Sequence, residues 1–175
     1  TADRAPAIEA APYSFELVAT SKHFSGIDLF TGAINNQGDV LFVAEVQPNS
    51  PASGRSGIFF GSDPQENGLI DTAGEGAVDA SGYEFGAFIQ AGMNDRGDVV
   101  FLAEEQGRVG VWTIDDGDLR LVADENDYVS FQRAGQFTTP VINNRGDIAF
   151  FAFAERASSV DDGIFSNANS EDAWV

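Results

Sequence analysis

Apolar positions in this chain fall in short runs, mostly of three to six residues, punctuated by Gly, Asn, Asp and Pro. No stretch of useful length carries the 3.6-residue period of a helix, whereas alternating and continuous β-branched or aromatic runs recur. The clearest run occurs three times: Ile34-Asn35-Asn36-Gln37-Gly38-Asp39-Val40-Leu41-Phe42, Met93-Asn94-Asp95-Arg96-Gly97-Asp98-Val99-Val100-Phe101 and Ile142-Asn143-Asn144-Arg145-Gly146-Asp147-Ile148-Ala149-Phe150. Each predicts a turn and then a strand ending at Ala44, Ala103 or Ala152. Asn bonds its own backbone in such turns, and Gly supplies a positive φ without steric cost.

Around these turns the other elements keep their order. A first strand is expected at Phe15-Glu16-Leu17-Val18-Ala19, with counterparts at Leu69–Ala73 and Leu119–Ala123. The alanines at 19, 73 and 123 lie 54 and 50 residues apart, a period found in propeller blades and similar arrays. Two aromatics lead into each turn: Phe24 and Phe30, Phe85 and Phe88, Phe131 and Phe137. A segment of variable length follows the strong strand, at 46–56, 105–109 and 154–162. Each unit closes on Gly57-Ile58-Phe59, Gly110-Val111-Trp112 or Gly163-Ile164-Phe165.

The pattern therefore predicts an all-β fold of about three four-stranded repeats. An extended arm covers 1–12, and a single repeat domain covers 13–175, with units near 13–68, 69–118 and 119–172. Residues 173–175 read as the start of a fourth unit. Four-stranded units repeated radially make a β-propeller, but three blades are fewer than the usual minimum. The native chain is longer, another chain completes the ring, or the units pack in some other way.

The turns resemble those of exported bacterial proteins with tandem Asn-x-x-Gly-x-x-x-Ala-Phe repeats, the choice-of-anchor type. Asn143, Gly146, Ala149 and Phe150 match that pattern fully; Leu41 and Val100 replace the Ala in the other two copies. The resemblance implies export and a surface or extracellular setting. It carries over no catalytic residue, and no C-terminal anchor is visible.

Composition narrows the partners. With 28 acidic and 9 basic residues the formal charge is −19 and the pI near 4.1. Such a field repels nucleic acid and anionic lipid, and suits solubility in a salty or extracellular medium, a cationic partner or Ca²⁺. There is no cysteine, which excludes a disulfide, a thiolate metal site and a thiol nucleophile. No apolar run is long enough to span a bilayer. The opening Thr1–Ala7 would suit a terminus left by signal cleavage.

Candidate chemistry is sparse. Arg96-Gly97-Asp98 and Arg145-Gly146-Asp147 spell a cell-binding tripeptide, but Gln37 holds the Arg place in the first copy, so the pattern follows the turn. Acidic clusters at 115–118, 124–127 and 161–163 lack EF-hand spacing; Asp124 and Asp127 are the candidate Ca²⁺ ligands. Asp39, Asp98 and Asp147 are expected to fix their turns through backbone hydrogen bonds. Thr113–Gly117 and Ser159–Gly163 begin like an Asp-box turn without its tryptophan. His23, the one histidine, has no nucleophile elbow beside it, and Gly74-Glu75-Gly76 lacks the Lys and helix of a phosphate loop. Trp112, aligned with Phe59 and Phe165, belongs in the core. Trp174 and Val175 are candidate interface residues beside an unfinished strand edge. The expected function is a non-enzymatic exported structural or interaction module, associating with itself or a larger assembly through repeat edges. Behind it stand a glycan- or Ca²⁺-binding module and, third, a hydrolase of extracellular polymers.

Overall fold

A computed structural model describes residues 17–27, 32–48, 55–60, 67–71, 82–125, 129–130, 132–133, 136–137, 139–156 and 159–168. The fold is all-β, built from three antiparallel sheets and one small hairpin. The first sheet contains β1 (Phe24–Ile27), β2 (Ala33–Ile34), β3 (Val40–Val46), β4 (Ser56–Phe59) and β5 (Gly68–Asp71). Strand β3 pairs with β1 and β2 on one side and β4 on the other; β5 closes the sheet beyond β4.

The second sheet is a meander of β6 (Phe85–Met93), β7 (Val99–Glu105), β8 (Arg108–Asp115) and β9 (Asp118–Asp124). Two-residue loops join its last three strands. Gln106 and Gly107 have φ of 49° and 80°, and Asp116 and Gly117 have 51° and 84°. Positive φ at both central residues matches the twist of the flanking strands. The third sheet holds β10 (Val129–Ser130), β13 (Val141–Ile142), β14 (Ile148–Arg156) and β15 (Ser159–Ser166), while β11 (Gln132–Arg133) and β12 (Gln136–Phe137) pair separately.

The strands near Leu69 and Leu119, expected to open a unit, lie last in the sheet before them: β5 pairs with β4 and β9 with β8. Leu17–Ala19 is a correction. It forms no strand, because Val18 and Ala19 pack on the face of the first sheet and, among the described residues, no strand pairs with them; residues 15 and 16 lie outside the described residues.

The sheets pack in sequence order. Leu41, Val43, Ile58 and Ile70 on one face of the first sheet share a cluster with Phe101, Ala103 and Trp112 of the second. The other face of the second sheet (Val100, Leu102, Val111, Ala123) packs against Ile148, Phe150 and Ala152 of the third. Alternation with period two places each strand's odd and even residues in different clusters, so one strand serves two interfaces. The outer face of the first sheet holds Phe24, Phe42 and Phe59 with ring centroids 5.1–6.0 Å apart, and Val18 and Ala19 lie on it. Trp112 is buried as expected, with the Tyr83 and Phe85 rings edge-on at 4.7 and 5.1 Å.

Candidate functional site

The three turns repeat one set of hydrogen bonds. Asn35 Oδ1 accepts from the backbone N–H of Gln37 (3.0 Å) and Asp39 (2.9 Å). Asn94 Oδ1 does the same for Arg96 and Asp98, and Asn143 Oδ1 for Arg145 and Asp147. The backbone N–H of each asparagine donates to the carbonyl of the aspartate four residues on. Gly38, Gly97 and Gly146 have φ between 87° and 90°, which an L side chain rarely adopts. The aspartates join their turns through their own backbone N–H and carbonyl groups, and their carboxylates add bonds to side chains. Asp39, Asp98 and Asp147 accept from the side-chain amide of their own asparagine at 2.8, 2.7 and 2.8 Å.

Tertiary structure adds a link between the turns. Asp95 receives the backbone N–H and the side-chain amide of Asn36, at 2.8 and 2.7 Å, and the side-chain amide of Asn144 at 2.7 Å. Its own N–H donates to Asn144 Oδ1 at 2.9 Å, and Asn94 Nδ2 reaches the Asn143 carbonyl at 2.9 Å. First and second turns, and second and third, are thus joined: an open series among the described residues. Bonds from Asn36 and Asn144 hold the Asp95 carboxyl below the usual carboxylate range, the backbone N–H of Asn36 being the largest cause. Asp147 is also lowered, chiefly by the amide of Asn143 and then by Arg145. The linking residues Asn36, Asp95 and Asn144 were not among the predicted sites. Their signal was an Asn or Asp at the second place of every turn.

Three carboxylates converge beside the second turn: Asp98, Asp115 and Asp116 have oxygens within 4.8 Å of one another. Like charges this close repel unless countered. Arg96 supplies the counter-charge, bonded to Asp98 and 3.8 Å from Asp115, and Arg120 lies 2.6 Å from Asp115. The group is an ion-pair network, two of whose members, Asp115 and Arg120, line an open depression of about 130 Å³. Thr113, Leu121, Ile148 and Asn167 also line it. The Asp98 end of the first Arg-Gly-Asp is therefore buried and engaged.

The other predicted residues lie apart. Asp124 ends β9 opposite Gly110, and Asp127, Trp174 and Val175 lie outside the described residues. His23 ends the turn before β1, its N–H donating to the Thr20 carbonyl at 3.2 Å. Among the described residues no helix is long and apolar enough to cross a membrane.

Residues 13–174 match the model of DUF7453, a family of unknown function, and the chain belongs to that family. No curated protein and no solved structure is significantly similar to the chain.

Proposed function

We propose that the chain is a non-enzymatic structural and interaction module, exported from the cell, that associates with a protein partner through an open sheet edge. One observation carries the reading. Ile58, Val111 and Ile164 hold the same place in their sheets; the first two are fully buried against the sheet that follows, whereas Ile164 is 79 % exposed. Strands β4 and β8 each have a further strand on their outer side, and among the described residues β15 pairs only with β14. An unpaired edge with apolar side chains is a template for strand addition. The export part rests on the acidic charge of −19 and on the resemblance of the turns to those of exported proteins.

Light scattering of the intact chain tests the reading. A dimer or larger species is expected, shifting to monomer when Ile164→Asp places a charge on the edge. A wild-type chain that stays monomeric at every concentration, with no partner, overturns it.

A further inference from the structure

We infer that β15 of one copy accepts Leu17-Val18-Ala19 of a second copy as the fourth strand of its sheet. This rests on the edge association proposed above and names its occupant.

Three observations meet here. The first is sequence identity: Leu17-Val18-Ala19 repeats Leu121-Val122-Ala123 in the second half of β9, which closes the second sheet. The second is position. Val122 and Ala123 pack on Phe150, Ala152 and Phe165 of the sheet that follows them. Val18 and Ala19 pack on Phe42, Ala44 and Phe59, the corresponding residues of the first sheet. The tripeptide therefore sits on the first sheet where a preceding sheet's last strand would lie, with no strand pairing among the described residues. Leu17 is 76 % exposed there.

The third observation is on the acceptor. A Cβ at Gly57 would lie 2.7 Å from the Ile70 carbonyl oxygen, and one at Gly110 would lie 3.2 Å from that of Ala123. At Gly57 the closing strand leaves no room for a side chain; at Gly110 the contact is tight, shared between the closing strand and the Trp112 indole at 3.0 Å. Among the described residues, a Cβ at Gly163 would meet only the Phe165 ring, at 3.5 Å. Strand β15 thus has a glycine at the place where a closing strand passes closest, and its Ile164 lies on a face that, unlike those of Ile58 and Val111, no following sheet covers among the described residues.

The register follows from β8 and β9, where Val111 faces Ala123 and Trp112 faces Leu121 across a bulge. Ile164 should face Ala19 of the second copy, and Phe165 should face Leu17. Residues directly opposite in an antiparallel pair are close enough for a disulfide, and the chain has no cysteine of its own to interfere.

Ala19→Cys and Ile164→Cys chains would be mixed under mild oxidation and the two-chain product followed by mass. Held at millimolar effective concentration, the mixed pair should link about 100-fold faster than either variant alone at micromolar concentration. Gly163→Ala, added to the Ile164→Cys chain, should cut that advantage while leaving the melting temperature at high dilution unchanged. If the chain associates but the mixture links no faster than the single variants, this pairing is overturned and edge association stands. Occupation of β15 by residues 173–175 of the same chain would also leave the mixture unlinked. An Ala19→Cys/Ile164→Cys chain that closes on itself as a monomer assigns the strand to its own chain and overturns the second copy. A monomer that neither links nor associates overturns both readings.

Discussion

The second and third sheets share a pattern but not a fate. Leu102 on β7 and Phe151 on β14 occupy equivalent places, as do Val111 and Ile164. In the second sheet both positions are buried between neighbours; in the third, Phe151 is half-buried and Ile164 exposed. The side chains are equally apolar, so the contrast comes from what lies against them. A strand with a sheet on each face and a strand on each edge gains from every position, and a terminal one does not.

The largest test of that contrast is truncation at the two equivalent places. Leu102→Ala should lower unfolding free energy by about 2–5 kcal/mol, because neighbours on both sides close poorly around the cavity. Phe151→Ala removes more atoms but less buried surface, and should cost about 1–2 kcal/mol. Urea midpoints of the two variants measure the difference. Equal losses at high dilution would mean that the third sheet is as well covered as the second.

The turns give the next test, since their local bonds are the same and their burial is not. Asn94 is buried and Asn143 is exposed. Asn94→Ala strips bonds from the buried Asp98 carboxylate and backbone, and should cost about 2–3 kcal/mol. Asn143→Ala leaves groups that water can satisfy, and should cost about 0.5–1 kcal/mol. Matching losses would place the value of these turns in local geometry alone.

The smallest effect is in acid. Asp95 and Asp147 have lowered carboxyl pKa values in the folded chain. Their contribution is complete above the unfolded value of about 3.9 and is lost as pH falls through the folded one. The urea midpoint should therefore drop below about pH 4, and Asp95→Asn should flatten part of that drop. A variant with an unchanged acid profile would remove Asp95 from the link between the turns.

Much of this was legible in the residues. The Asn-x-x-Gly-Asp turns formed where the spacing put them, because an asparagine Oδ1 and two N–H groups within four residues need nothing from elsewhere. The strands after them, and the core places of Phe59, Trp112 and Phe165, follow from period-two alternation. The convergence of Asp98, Asp115 and Asp116 was less visible, since a turn and a strand end 17 residues apart meet only after β7 and β8 pair.

What the sequence determined by itself was local: where the chain turns, where it extends and which residues face inward. Tertiary structure decided the pairings. A strand has two edges, and nothing in Leu119–Ala123 says whether it opens one sheet or closes another; its bonds to β8 decide that. The same holds for Asn36, Asp95 and Asn144, ordinary turn residues until the stacking of three sheets brings them within hydrogen-bonding reach. Short-range bonds are encoded in neighbouring residues, whereas an edge takes whichever strand the packing of the whole chain presents to it.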